Sequence, residues 1–265
     1  MGLNMIPPVK IHETRQGIRY ALFTQPEIIS DEIRKNNYWN VYNLEIADII
    51  LSERDRCRVV DIGSGMGAFT IPLAVKYLKK HIFDSFEPVP ALNAQLNANT
   101  LLNQLNNVRC HRIGVWDKNE IIDSFIFDLS SMNHGSFALS RDNYVNRSLP
   151  IPNETDVFEL RTLDDYRFAQ VGLIKITVSG SELEVVRGIE KTVEMNELPP
   201  LMIESWNVEW NKERQVELRE LLKKYGYKQV ISRRDFIFAF NNEDLCKKVE
   251  ARLNEQRPGT LVVFK

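Results

Sequence analysis

Asp61-Ile-Gly-Ser-Gly-Met-Gly-Ala-Phe-Thr70 is the stretch from which the rest of the chain is read. An apolar run over 58–62 precedes it, and a helical pattern over 68–79 follows, with Pro72 placed where a first turn tolerates it. Glycine at 63 and 65 lets the backbone turn sharply and come close to a ligand, and Gly67 lets helix and strand pack tightly. The spacing is G-x-G-x-G rather than the G-x-G-x-x-G of dinucleotide-binding loops. Asp61 stands just before the loop, and Glu87 ends the next apolar run.

Working outward, strands and helices alternate. Strands are expected at 82–87, 108–115, 173–178 and 201–206, with helices at 91–105, 182–196 and 213–225 between and after them. Crossovers of this length make a mostly parallel sheet with helices on both faces. Runs at 228–232 and 236–241, joined by the tight turn Arg233-Arg234-Asp235, must pair antiparallel. Residues 117–160 break the rhythm with alternating apolar residues, Asn133-His134-Gly135 and two prolines, which reads as a β-ribbon and a long loop inserted into the frame.

The flanks are plainer. Residues 1–29 carry several breakers and weak periodicity, and are expected to drape over the domain. Ser30 is the expected N-cap of one or two helices over 30–53, in which Tyr38 and Trp39 are placed either as core or as a lid. A short helix is expected after Glu243, with a last strand near 260–264. The expected division is a 1–55 extension covering the ligand side, a 56–242 domain and a 243–265 tail.

The chain has 265 residues, with 34 Lys plus Arg against 36 Asp plus Glu and a net charge of −2. That balance argues against nucleic acid as a partner. No apolar run approaches a membrane span. Residues 1–8 lack a basic head followed by an apolar stretch, so a cytoplasmic protein without membrane attachment is expected. Three widely spaced cysteines, Cys57, Cys110 and Cys246, suit buried thiols in a reducing compartment, and no metal site is expected.

Glu87, at a strand tip facing the crevice, is placed to accept both hydroxyls of a ribose, with charge-assisted hydrogen bonds worth about 1.5–3 kcal/mol. The glycine spacing suits the amino-acid part of S-adenosylmethionine. A sheet closed by an antiparallel pair is the arrangement of a Rossmann-like class I methyltransferase: seven strands, mostly parallel, with the last antiparallel. On this reading Asp61, Gly63, Ser64, Gly65, Gly67, Phe69, Glu87 and Pro88 hold the cofactor, and Trp116 and Asp117, ending the third strand, meet the adenine.

Several segments together resemble the FkbM-like S-adenosylmethionine-dependent methyltransferases: Val59–Thr70, Phe86-Glu-Pro88, Gly114-Val-Trp-Asp117, Arg161-Thr-Leu-Asp-Asp165, Leu173–Gly188 and Pro200-Leu-Met-Ile-Glu204. The resemblance covers roughly 55–242. It implies O-methylation of a hydroxylated small molecule, sugar or other glycan acceptor. The family's fourth-strand block usually reads Lys-Ile-Asp-Val-Glu-Gly. Here Lys175, Ile176, Val178 and Gly180 stand, but Thr177 and Ser179 replace the two acids. Lys175, Thr177 and Ser179 are expected on the acceptor side. A hydroxyl has no useful basicity near neutral pH, so the candidate bases are His134, Glu182 and Glu204. Two readings follow: an active methyltransferase with altered acceptor chemistry, or a cofactor-binding partner subunit without turnover.

Overall fold

The computed structural model describes residues 8–125, 133, 137–139, 145, 155–233 and 235–255. The chain opens with an antiparallel hairpin, β1 (Val9–Glu13) and β2 (Arg19–Phe23), where irregular cover was expected. Period-two alternation does not announce it. β1 is exposed along almost its whole length, whereas β2 is buried from Tyr20 to Phe23. The outer edge of β2 is satisfied by side-chain amides of a later helix, α4 below. Asn99 Oδ1 accepts the Ala21 N–H at 2.7 Å, Gln95 Nε2 donates to the Ala21 carbonyl at 2.6 Å, and Asn103 pairs with both backbone groups of Arg19. Spaced at i, i+4 and i+8, these three amides share one helix face and act as a neighbouring strand would.

Two helices follow, α1 (Ile28–Asn36) and α2 (Val41–Ser52). The N-cap of α1 is Glu27 rather than Ser30. Its carboxylate accepts the Ile29 and Ser30 N–H groups at 3.1 and 2.7 Å. Ser30 is buried inside the first turn. Tyr38 belongs to the core and Trp39 is partly buried against it.

The central part runs β3 (Arg58–Ile62), α3 (Thr70–Lys76), β4 (Ile82–Phe86), α4 (Pro90–Leu102) and β5 (Val108–His111). The expected third strand over 108–115 stops at His111. Residues 114–115 form β6 (Gly114–Val115), which joins a separate sheet with β7 (Glu120–Phe125) and β8 (Thr155–Arg161) in the order β6-β8-β7. The inserted ribbon is thus a three-stranded sheet that borrows the end of the third strand. The chain then runs through β9 (Val171–Ile176), α5 (Glu182–Arg187), α6 (Glu190–Met195), β10 (Leu201–Glu204), α7 (Lys212–Lys224), β11 (Gln229–Arg233), β12 (Phe236–Phe240) and α8 (Glu243–Asn254). The single helix expected over 182–196 is broken at Gly188. A Cβ there would stand 1.8 Å from the Trp116 carbonyl oxygen, and the Gly188 carbonyl accepts the Leu163 N–H at 3.0 Å.

The main sheet has seven strands in the order β11-β12-β10-β9-β3-β4-β5. Pairs from β10 to β5 are parallel, and β12 is antiparallel to both its neighbours. This is the class I methyltransferase arrangement expected from the alternation and the closing strand pair. One face packs on a cluster drawn from α2, α3 and α8, which includes Ile46, Ile71 and Val249. The other packs on α5, α6 and α7 through Val185, Val193 and Leu218. The C-terminal helix is therefore built into the main core, and the strand expected near 260–264 lies outside the described residues. No helix among the described residues is long and apolar enough to cross a membrane.

One buried charge sits in the sheet itself. Asp84 is inaccessible to solvent and lies between the Arg58 guanidinium and His111 Nε2, the latter at 2.8 Å. His111 stacks on Phe86 with ring centroids 4.4 Å apart.

Candidate active site

The parallel strands end together on one side of the sheet, at the point where the order reverses between β3 and β9. Ligand crevices of open α/β sheets lie at such points. A cavity of about 430 Å3 opens here, within the usual range for small-molecule sites. Its floor is the loop after β3 and the ends of β4, β9 and β10. Its roof comes from Glu27, Trp39 and Asn40 of the N-terminal helices and from Asn133 and Phe137 of the insertion.

The glycine loop is pinned to the end of β4. Gly63 and Ser64 donate their backbone N–H groups to the Phe86 carbonyl at 2.9 and 3.0 Å. Gly63 and Gly65 both hold positive φ, but for different reasons. A Cβ on Gly63 would strike the Thr177 carbonyl oxygen at 1.8 Å, while one on Gly65 would meet nothing within 4 Å. Gly63 thus serves the close approach of loop and strand, and Gly65 leaves open space in the cavity wall. Gly67 packs against Leu96 of α4, a helix contact where a strand contact was expected.

Glu87 is buried in the wall. Oε2 accepts the Gly65 N–H at 2.8 Å and Oε1 the Val89 N–H at 2.9 Å. Burial outweighs these two donors and pushes its pKa up to about 7. Asp61 is wholly buried. Oδ2 accepts from Thr70 at 2.7 Å, and Oδ1 lies 3.1 Å from Lys175 Nζ as an ion pair without hydrogen-bond geometry. Asp61 therefore acts beneath the loop, where Lys175 pairs with it. Ser64, Phe69, Pro88 and Trp116 line the cavity, whereas Asp117 does not, and its Oδ1 is buried without a hydrogen-bond partner among the described residues.

On the opposite wall stand Lys175, Thr177, Ser179, Ser181 and Glu204. Ser179 has φ +55°, in the left-handed region that side chains rarely take. Thr177 Oγ1 is buried with no hydrogen-bond partner among the described residues. Glu204 Oε1 receives the Trp206 indole N–H at 3.2 Å. Glu182 is outside the cavity wall; its carboxylate folds back to accept the Gly180 N–H at 2.9 Å. Burial, with Glu204 nearby as a second negative charge, raises its pKa to about 7. His134 lies outside the described residues.

Sequence reasoning missed Glu27, Met66, Gln95 and Trp206 as wall residues. Gln95 carries a trace of its role in the amide spacing of α4, and Met66 stands inside the glycine motif itself; Glu27 and Trp206 have no local signal.

Residues 61–228 match the methyltransferase FkbM domain. A protein of Beauveria bassiana (strain ARSEF 2860) described as Methyltransferase 1 is 26% identical over 146 residues, 50% of this chain and 58% of the relative. The alignment thus spans little more than half of that relative's length. Among solved structures, Methyltransferase FkbM from Methylobacillus flagellatus KT superposes with a TM-score of 0.47 at 14% identity, covering 80% of this chain and 60% of that one. M. jannaschii TYW2 in complex with AdoMet gives a TM-score of 0.42 at 18% identity, covering 89% and 85%. With the stretch from Asp61 through the glycine loop, the Thr177 strand and on to Lys228 inside the family's pattern, this chain belongs to the FkbM methyltransferase domain family.

Proposed function

We propose that the protein is an S-adenosylmethionine-dependent O-methyltransferase acting on a hydroxylated small molecule, sugar or other glycan. The observation that carries this is the pairing of Glu87 with the Gly65 N–H in the wall of one cavity. The residues present fit the cofactor. Open space stands over Gly65, and each Glu87 oxygen keeps a lone pair after accepting one backbone N–H.

Glu87 would take the ribose hydroxyls. The Gly63–Gly67 loop would hold the amino-acid part, with Trp116 beside the adenine. When bound, the cofactor supplies a methyl group already activated on a sulfonium. What the chain must add is chiefly orientation, by holding the acceptor oxygen in line at near-attack distance. Glu204, on the acceptor side, would receive hydrogen bonds from acceptor hydroxyls. The roof residues Trp39 and Phe137 would exclude water.

Titration calorimetry with S-adenosylmethionine tests the reading. Binding at a Kd on the order of micromolar, abolished in Glu87→Ala, is the expected result; no heat from the unmodified protein would reject it. The second reading, a cofactor-binding subunit without turnover, is favoured by Thr177 and Ser179 standing where the family carries acids. It predicts the same binding with no methylated product from any acceptor.

A further inference from the structure

The acceptor side of the cavity carries two hydroxyls where its family pattern implies two carboxylates. A carboxylate at 177 or 179 only accepts hydrogen bonds, so it suits an acceptor that brings a hydroxyl proton; a threonine or serine hydroxyl donates. Exchanging two carboxylates for two hydroxyls also removes two negative charges from one strand end. What remains nearby is the Lys175 ammonium, which lines the same cavity as Thr177. Asp61, at 3.1 Å, is its counter-charge.

Thr177 adds a second observation. Its Oγ1 is buried with no partner among the described residues, and an unpaired buried hydroxyl costs about 1–3 kcal/mol. Thr177 lines the cavity, where a turn of its side chain about χ1 would offer that hydroxyl to a ligand. Of the carboxylates lining the cavity among the described residues, Glu27 and Glu87 have both oxygens engaged by backbone N–H groups, and Glu204 receives the Trp206 indole.

Resting on the methyltransferase reading, we propose that the oxygen methylated here is already ionised at neutral pH, a carboxylate carried by a hydroxylated molecule, and that Thr177 is the residue that selects it. Such an acceptor needs no general base. A lone pair of the carboxylate oxygen forms the new C–O bond to the methyl carbon while the C–S bond breaks. The bonding pair goes to sulfur, which becomes a neutral thioether, and no proton moves. The product is a methyl ester. Thr177 donates to the acceptor carboxylate, and Glu204 receives the acceptor's hydroxyls.

The full chain is incubated with methyl-tritiated S-adenosylmethionine and matched probes: D-glucuronate against D-glucose, and benzoate against benzyl alcohol. Esters release labelled methanol in mild alkali and ethers do not, so the product reports its own linkage. Alkali-labile label in an acid and none in the alcohols is the expected result. Alkali-stable label in an alcohol overturns the proposal, as does no label in either acid while calorimetry shows the donor bound. Loss of donor binding rejects the methyltransferase reading itself, and the proposal falls with it. Thr177→Val keeps the shape and deletes the unpartnered hydroxyl. It should raise Tm, leave donor Kd unchanged and raise KM for the acid about tenfold, with Thr177→Ser restoring the KM. An unchanged KM in Thr177→Val overturns the role given to the hydroxyl.

Discussion

Gly63 and Thr177 meet backbone to backbone: the Thr177 carbonyl oxygen occupies the place a Cβ on residue 63 would need, 1.8 Å away. The Thr177 N–H in turn donates to the Ile62 carbonyl at 2.9 Å. The two walls of the cavity are therefore joined directly, and a disturbance of the glycine loop reaches the Thr177 wall.

Gly63→Ala combines left-handed strain with a clash against backbone, which cannot swing away. We expect a loss of about 2–5 kcal/mol of stability, read by denaturant unfolding. Gly65→Ala carries only the backbone strain, because nothing lies within 4 Å. It should cost about 1–2 kcal/mol yet lower S-adenosylmethionine affinity more than its stability cost suggests. Equal destabilisation by both changes would refute the distinction.

The buried acids give a pH dependence with a definite sign. Glu87 and Glu182 both titrate near 7 in the folded state against 4.5 for the ordinary group. Between those values the folded chain holds more protons than the unfolded chain, so stability falls as pH rises from about 4.5 to 7 and levels off above. Glu182→Gln keeps an oxygen for the Gly180 N–H and removes the charge. Its stability at pH 8 should exceed that of the parent, and its unfolding curve should depend less on pH.

Cofactor affinity should run the other way. Ribose hydroxyls donate best to an ionised Glu87, so binding releases its proton and tightens as pH rises through about 7. Calorimetry at pH 7 in buffers of different ionisation enthalpy measures the released proton directly. Proton uptake on binding would contradict the role given to Glu87.

Asn99 couples the N-terminal hairpin to the glycine loop, since its Nδ2 donates to the Met66 carbonyl at 2.9 Å while its Oδ1 holds Ala21 at 2.7 Å. Asn99→Leu leaves one donor and one acceptor unpaired. It should cost about 2–4 kcal/mol, and limited proteolysis should cut within residues 9–23 sooner than in the parent.

All three thiols should be silent in the native protein. Burial pushes Cys57 up to about 11 and raises Cys110 and Cys246 as well. A disulfide reagent at pH 8 should titrate three thiols after denaturation and none before it on the minute timescale. A fast native thiol, most readily at the half-buried Cys110, would refute this.

The sheet was legible because its strands are short apolar runs separated by helical periodicity, and because β11 and β12 stand too close in sequence for anything but antiparallel pairing. The N-terminal hairpin was not. β2 is buried along four consecutive residues and satisfied by amides from a helix some 80 positions away. No local pattern encodes such a partner. Likewise Ser30 looked like a cap, but the helix starts earlier, at Ile28, where Glu27 caps it by accepting the Ile29 and Ser30 N–H groups.

The glycine spacing, the acid at the tip of the second strand and the order of elements were enough to name the fold and to point to a loop that lines the cavity, since each is a local requirement of backbone geometry. What each charged or hydroxyl group faces was settled by packing across the sheet. Lys175 met Asp61 on the adjacent strand, Glu182 turned back to the chain, Glu204 met Trp206, and Thr177 Oγ1 was left without a partner among the described residues. Hydrogen bonds and ion pairs act over a few ångströms, and which groups come that close depends on strands that are neighbours in the sheet but distant in the chain.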